Sequence, residues 1–177
     1  FMRTLKIIPL SLTLEPNVVA KMKAVLVIDM LNDFLLEGAP LELPEGRKII
    51  PHIKRLLEEA RKKKIPIIYI CDNHLEDDAE FKIWPKHCVK GTKGAEIVEE
   101  LKPQPGDIII EKRRYSGFFQ TSLDLTLREL GVSTLILTGV ATNICVLHTA
   151  ADAYFLGYKV IVPEECVATI DKKAQQY

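Results

Sequence analysis

The sequence predicts an α/β fold in which helices cover both faces of a mainly parallel sheet, and three observations lead to this prediction. Short apolar runs, rich in Ile and Val, have the composition of strands that are buried on both faces. Segments with helical periodicity alternate with these runs along the chain, and most connections are short. The 177 residues, 47% of them hydrophobic and 27% charged, suit a single packed domain.

Five apolar runs are predicted to be strands. The first is almost purely apolar and has Asp29 near its end, as expected of a central parallel strand. The third follows the turn-forming pair Pro105-Gly106. In chain order the predicted strands are residues 24–30, 66–71, 107–111, 134–138 and 158–162.

Helices are predicted between these strands. In residues 47–64 apolar positions recur at helical spacing and the last turn is basic, which suits the negative end of the helix dipole. Residues 123–130 are amphipathic, and Gly131 is suited to cap their carboxyl end. The other predicted segments are a short helix, a longer helix, a loop and a long polar stretch, over residues 96–101, 143–156, 37–46 and 72–94 respectively.

Charge and cysteine usage narrow the class of protein. The 24 basic residues balance 24 acidic ones, so no basic excess favours nucleic acid or an anionic membrane surface as a partner. Apolar runs are too short for a membrane span, which needs about 20 residues. The cysteines form no C-x-x-C motif, which favours free thiols in a reducing cytoplasm over the alternative of a secreted protein with two disulfides. They are Cys71, Cys88, Cys145 and Cys166.

The chain is predicted to divide into an N-terminal extension, residues 1–21, and one main domain, residues 22–177. The extension has a short apolar stretch that could form a hairpin or an added strand. It is a weak candidate for a signal peptide, because Glu15-Pro16 interrupts it before any cleavage pattern.

Three reactive side chains are expected at the carboxyl ends of strands, where function gathers in such sheets. Cys145 follows the turn after the fourth predicted strand, Asp29 ends the first, and Lys112 follows the third. If the first and fourth strands are neighbours, a thiol, a carboxylate and an ammonium group converge. The alternatives are a small buried cysteine, a surface carboxylate, and a lysine in the solvated charge run 111–114.

A second group of side chains has the composition of a metal site. Asp72 and His74 stand two positions apart at a strand end, so their side chains point the same way. His87 follows thirteen residues later, and an aspartate with two histidines is a suitable three-ligand set. The alternative is that these are solvated loop histidines. His52 is expected at the surface and His148 in a structural role.

Three motifs resemble the isochorismatase-like cysteine hydrolases, a family that includes the nicotinamidases. They are VIDMLNDF at 27–34, EKRRYSGF at 111–118 and GVATNICVLHTAADA at 139–153. The resemblance implies a three-layer α/β/α sandwich with a catalytic triad and a cis bond between residues 140 and 141. The implied triad is Asp29, Lys112 and Cys145, with the backbone N–H groups of Ala141 and Cys145 as the oxyanion hole.

Simple electrostatics assigns expected roles within this triad. Lys112 and the positive end of the following helix are expected to lower the pKa of Cys145. Asp29 is expected to take the thiol proton and to deliver it to the leaving nitrogen.

The polar stretch adds a resemblance to the nicotinamidase branch, through D-N-H and W-P-K-H-C-V-K-G-T-K-G-A-E. This resemblance implies that Asp72, His74 and His87 bind a divalent metal, commonly zinc, which holds the pyridine nitrogen of nicotinamide. The aromatic residues expected to contact the ring are Phe34, Trp84 and Tyr115.

The expected function is therefore a cysteine amidohydrolase that converts nicotinamide to nicotinate and ammonia through a thioester. One alternative is a related hydrolase for another small amide, an N-carbamoyl compound or a vinyl ether; another is a non-catalytic regulatory or interaction module. We also expect a homo-oligomer. Tyr177 stands about one helix and one edge strand before the usual end of the family, so either the C-terminus is missing or the extension or a partner subunit covers a sheet edge.

Overall fold

The computed structural model describes residues 5–8, 22–170 and 173–176. Within them the strands are β1 to β7 and the α-helices α1 to α4. The strands are, in order, Leu5–Ile8, Met22–Ile28, Ile67–Asp72, Ile108–Lys112, Val132–Val140, Lys159–Pro163 and Val167–Ala168. The helices are, in order, Asn32–Leu35, Pro44–Lys62, Leu123–Glu129 and Leu147–Phe155.

The strands form one sheet in the order β1-β6-β5-β2-β3-β4, and β7 also pairs with β5. The paired strands are parallel throughout. The predicted first and fourth strands, now β2 and β5, are neighbours. Leu5–Ile8 lies along β6 at one edge, so this part of the extension is the added strand that was one of its two expected forms. The boundary between residues 21 and 22 stays a prediction.

Both faces of the sheet are buried, as the apolar strands predict. Successive side chains of β2 point alternately into two hydrophobic cores: Val25 and Val27 face one, while Leu26 and Ile28 face the other. Helices α1 and α2 cover the first core, and α3 and α4 cover the second. These three layers confirm the α/β/α sandwich.

The boundaries differ from the predictions where short-range patterns are weak. Helix α2 begins at Pro44, within the predicted loop, because proline is favourable in the first helical turn, where its missing N–H costs nothing. The predicted helix over 96–101 is only a 3₁₀ turn, Glu99–Leu101. The helix predicted over 143–156 begins as a π-helical turn, Thr142–Val146, and continues as α4. Neither the four-residue α1 nor the two-residue β7 was predicted, since elements of this length leave no periodicity.

The four cysteines are free and buried, as expected from their spacing. No helix in the part of the chain that the structure describes has the length and apolar character needed to cross a bilayer. The cytoplasmic location stays an expectation.

Candidate active site

The predicted reactive side chains meet at the carboxyl edge of the sheet. Asp29 directly follows β2, Lys112 ends β4, and Cys145 lies in the π-helical turn after β5. Since β2 lies between β5 and β3, and β4 is next to β3, these strand ends surround one point. Asp29 leaves the strand with φ 51°, in the left-handed region, where aspartate is one of the few residues tolerated.

These side chains contact each other directly, and we call Asp29, Lys112 and Cys145 the thiol centre. The Nζ atom of Lys112 lies 2.8 Å from Asp29 Oδ2 and 3.6 Å from Cys145 Sγ. It also lies 2.5 Å from Asp72 Oδ1, so one ammonium group bridges two carboxylates and the thiol. The side chains of Asp29 and Lys112 are 1% and 0% exposed, which excludes the surface alternatives for both.

Burial controls the protonation of the thiol centre. Burial raises the pKa of Asp29 to about 6, the charge of Asp72 adds to this rise, and Lys112 opposes it. Burial also disfavours the charge on Lys112, but Asp29 and Asp72 raise its pKa well above the usual value. The lysine is therefore a permanent cation.

The expectation that the pKa of Cys145 is lowered is wrong. Burial raises this pKa well above the usual value, and Asp29 and Asp72 add to the effect, so that the nearby Lys112 offsets only part of it. The cation and the helix end favour the thiolate, but desolvation and the carboxylates outweigh them. The resting sulfur is consequently a thiol, and its reactivity depends on a neighbouring base.

The turn that carries Cys145 has a close backbone approach and a cis bond. Gly139 has φ 109°, and a Cβ atom there would overlap the carbonyl group of Ile28 on β2. The Val140–Ala141 bond is cis, as the resemblance implies. Ala141 and Cys145 line the same cavity, so their backbones border the position of a substrate. Their role as an oxyanion hole stays a prediction.

The predicted metal ligands also come together, and we call Asp72, His74 and His87 the metal-ligand trio. Their ligand atoms lie within 4.8 Å of one another, and all three residues are buried. Asp72 Oδ2 is 3.6 Å from His74 Nε2 and 3.8 Å from His87 Nε2. The structure thus excludes the alternative of solvated loop histidines.

The hydrogen bonds around the trio fit a metal ion. The Nδ1 atom of His74 faces Asp78 Oδ2 at 3.2 Å, and Nδ1 of His87 faces the carbonyl oxygen of Pro85 at 2.7 Å. Because a carboxylate and a carbonyl only accept, both Nδ1 atoms donate, which leaves the two Nε2 atoms, facing Asp72, as the atoms that would bind a metal. His74 Nε2 is buried without a hydrogen-bond partner among the described residues, as expected of a ligand atom.

Asp72 belongs to both groups. Burial disfavours its charge, but Lys112 and the two imidazoles hold its pKa below the usual value, so it is ionised. Asp29, Asp72 and Cys145 form a second cluster of ligand atoms. Lys112 already supplies the cation at that position, so this cluster does not suit a metal.

A cavity of about 260 Å³ borders both groups. Cys145, Asp72 and His87 line it, and so do the three predicted ring-binding residues, Phe34, Trp84 and Tyr115. The indole Nε1 of Trp84 donates to the hydroxyl of Tyr115 at 3.0 Å, which holds these two rings together. Charged lining residues are acidic, Asp72 and Glu80, and no lysine or arginine lines the cavity among the described residues.

The remaining histidines lie outside this arrangement. His52 is exposed, as expected. His148 is also exposed; its Nδ1 lies 2.7 Å from the carbonyl oxygen of Ile144, and its ring contacts the edge of Tyr115. This is the structural role that the sequence predicted.

Three acidic residues in or near the site were not predicted from the sequence. Glu80 lines the cavity, and burial raises its pKa, with the charge of Asp72 adding to the rise. Asp78 holds His74, and Asp33 accepts a hydrogen bond from the backbone next to His87. The spacing of Asp78, four residues after His74, was a usable signal, whereas Glu80 and Asp33 had none beyond their charge.

A family model described as the isochorismatase domain matches residues 23–177. Because this match covers most of the chain, the protein belongs to the isochorismatase family.

Solved structures show relatives with different substrates. The chain is 40% identical to the N-carbamoylsarcosine amidase of Thermoplasma acidophilum, covering 88% of this chain and 90% of that one with a TM-score of 0.82. It is 35% identical to the pyrazinamidase/nicotinamidase of Streptococcus mutans, with coverages of 87% and 91% and a TM-score of 0.82. It is also 35% identical to the pyrazinamidase of Pyrococcus horikoshii, solved in complex with zinc, with coverages of 87% and 90% and a TM-score of 0.82.

Proposed function

We propose that this member of the isochorismatase family is a cysteine amidohydrolase that converts nicotinamide to nicotinate and ammonia. One observation carries the proposal: a buried thiol, a carboxylate and an ammonium group adjoin a trio of metal-ligating side chains at one aromatic cavity. The first group suits attack on a carbonyl, and the second suits the binding of a heterocyclic nitrogen.

The thiol centre supplies the chemistry in two stages. Asp29 accepts the Sγ proton as Cys145 attacks the amide carbon, and the same carboxyl group then protonates the nitrogen that leaves as ammonia. Water attacks the resulting thioester while Asp29 takes its proton, and the acid is released as the sulfur is reprotonated. A pKa of about 6 suits Asp29 to both tasks near neutral pH, since it is mostly ionised yet a competent acid once protonated.

Lys112 and the backbone turn stabilise the charges that develop. The lysine stays within 3.6 Å of Sγ and offsets negative charge as the thiolate forms. The N–H groups of Ala141 and Cys145 are the candidate donors to the tetrahedral oxyanion.

Asp72, His74 and His87 are the residues that would hold a divalent metal, for which zinc is the first candidate. When bound, such an ion supplies a Lewis-acid contact for the ring nitrogen and orients the carboxamide toward Cys145. Glu80 offers a further carboxylate on the same cavity. Phe34 and Trp84 border the space that a flat ring would fill, and Tyr115 adjoins them.

The charge of the cavity favours a neutral amide over an N-carbamoyl acid. N-carbamoylsarcosine has a carboxylate, which needs a cationic or N–H-rich subsite. In the part of the chain that the structure describes, the charged residues lining the cavity are instead Asp72 and Glu80, and the rest of the lining is mostly apolar. A neutral pyridine carboxamide therefore fits this surface better, although the chain is somewhat more similar to the N-carbamoylsarcosine amidase.

A substrate panel tests this proposal. Zinc-loaded protein would be incubated with nicotinamide, pyrazinamide, benzamide and N-carbamoylsarcosine, and ammonia release would be measured. We expect the two ring-nitrogen amides to be the best substrates. Equal turnover of benzamide and nicotinamide would contradict binding through the ring nitrogen, and preference for N-carbamoylsarcosine would contradict the argument from charge. Release of no ammonia from any amide would support a non-catalytic module.

A further inference from the structure

We propose that Asp33 is a positioning residue that holds the metal ligand His87 through the backbone of Cys88. The inference rests on the metal site of the proposed function and adds to it a residue outside the ligand set. Asp33 lies on α1, four residues after Asp29, and does not line the cavity. It therefore acts on the site through other residues and not by touching substrate.

The contact is made at the residue that follows His87. Asp33 Oδ2 accepts a hydrogen bond from the N–H of Cys88 at 2.7 Å. The carbonyl oxygen of Cys88 in turn accepts from the N–H of His74 at 2.9 Å. The backbone of Cys88 is thus held on one side by α1 and on the other by the first histidine of the trio, so it sets the spacing between the two imidazoles.

The neighbouring residue of α1 holds the same segment further along. The side-chain Nδ2 of Asn32 donates to the carbonyl oxygen of Lys93 at 2.8 Å. The backbone N–H of Asn32 donates to the carbonyl oxygen of Glu96 at 2.9 Å. A bridge between Leu31 and Ile97 continues the contact. Residues 87–97 have little regular structure of their own, and these bonds to α1, together with the bridge between His74 and Val89, hold the segment that begins at His87.

The Asp33 side chain packs closely against Gly94. A Cβ atom on Gly94 would overlap the carboxylate group of Asp33, and the segment can approach α1 only because the side chain is absent. The backbone of Gly94 is outside the left-handed region, and the three atoms nearest to such a Cβ all belong to the Asp33 carboxylate group.

The arrangement links the two halves of the active site. Helix α1 follows β2, and Asp29, the proposed base, lies between them. By anchoring His87 to α1, Asp33 keeps the metal-ligand trio at a constant position relative to the thiol centre.

Metal affinity tests the inference without relying on activity. Wild-type protein and Asp33→Ala would be stripped of metal and titrated with Co²⁺, followed by its visible absorption, and with Zn²⁺, in competition with a chromophoric chelator. We expect Asp33→Ala to bind both ions about 10- to 100-fold more weakly, the usual effect of removing an outer hydrogen bond, and to alter the Co²⁺ spectrum. Asp33→Asn keeps an oxygen that can accept from Cys88 and is expected to bind nearly as tightly as wild type.

A matched control separates positioning from general stability. Asp107 Oδ2 accepts the N–H of Gln104 at 2.9 Å and pairs with Arg61, but it lies at the opposite end of β4 from Lys112. Asp107→Ala should therefore cost stability while leaving metal affinity unchanged. An equal loss of metal affinity in both alanine variants would contradict the inference, and so would an Asp33→Asn variant as weak as Asp33→Ala.

Gly94→Ala keeps the inference testable if Asp33→Ala does not fold. The added methyl group should displace the carboxylate and weaken metal binding with Asp33 itself intact. Wild-type affinity and spectrum in Gly94→Ala, or in Asp33→Ala if it folds, would contradict the role of Asp33. The metal site of the proposed function would then still stand. Failure of wild-type protein to bind either ion would overturn the metal site of the proposed function, and the role of Asp33 with it.

Discussion

The thiol centre and the metal-ligand trio share Asp72, yet their polar atoms are satisfied in different ways. In the thiol centre, Lys112 lies between the carboxylates and the sulfur at 2.8, 2.5 and 3.6 Å, so opposite charges compensate each other within the chain. In the trio, the Nε2 atoms of His74 and His87 only approach Asp72, at 3.6 and 3.8 Å, while their Nδ1 atoms are bound outward.

This difference indicates that one region serves the reaction and the other serves binding. The thiol centre contains its own cation and can react without a further ligand, whereas the two Nε2 atoms that face Asp72 form a site that a metal cation would complete. We therefore expect changes in the thiol centre to lower kcat and changes in the trio to weaken binding. Single substitutions and removal of the metal test this separation.

The largest effect is expected from Cys145→Ala. Removing the nucleophile removes the reaction path, so ammonia release should fall by about 10⁴-fold or more, as in other covalent hydrolases. Metal affinity and the circular dichroism spectrum should not change. Cys166→Ala is the control, because Cys166 is also a buried free thiol and does not line the cavity. Substantial residual turnover by Cys145→Ala would contradict the covalent mechanism.

Asp72→Asn should be the one substitution that affects both regions. The amide keeps the shape but loses the charge that faces Lys112 on one oxygen and the imidazoles on the other. We expect metal affinity to fall by about 10- to 100-fold and kcat at saturating metal to fall as well. Titration with Zn²⁺ and steady-state kinetics would measure the two effects. A loss confined to one of them would show that Asp72 does not join the regions.

His74→Ala should act on binding more than on chemistry. Loss of one ligand should raise KM for nicotinamide, by about tenfold or more, while kcat falls less than in Cys145→Ala. Benzamide has no ring nitrogen, so its slow turnover by wild-type protein should hardly change in the variant. Steady-state kinetics on both amides would decide this, and an equal loss on both would remove the distinction between the two regions.

The smallest effect is expected on stability. A ligand present at 100 times its Kd stabilises the native state by about 2.7 kcal/mol, which corresponds to a rise in Tm of roughly 5–10 °C for a chain of this size. Thermal unfolding with Zn²⁺ and with a chelator would measure it. His87→Ala should show no such rise. A chelator-insensitive Tm in the wild-type protein would argue against a resident ion at the trio.

Local sequence patterns were sufficient to predict the strands and the candidate residues at their ends. Apolar runs, helical periodicity and turn residues are short-range properties, so Asp29, Lys112 and Cys145 could be placed at strand ends from the chain alone. The rule that parallel strands gather function at their carboxyl ends then brought them together. The pair Asp72 and His74 was found in the same way, from period-two geometry.

The strand order, the protonation of the site and its supporting contacts depend on tertiary packing. The pKa of Cys145 rises because burial and two carboxylates outweigh one lysine, and desolvation is a property of the packed molecule. Asp33 and Glu80 acquire their positions from contacts across 55 residues of chain or from a shared cavity, which no local pattern encodes. Local sequence patterns indicate which groups could react, whereas packing determines how these groups are charged, because electrostatic energies depend on distance and on the exclusion of water.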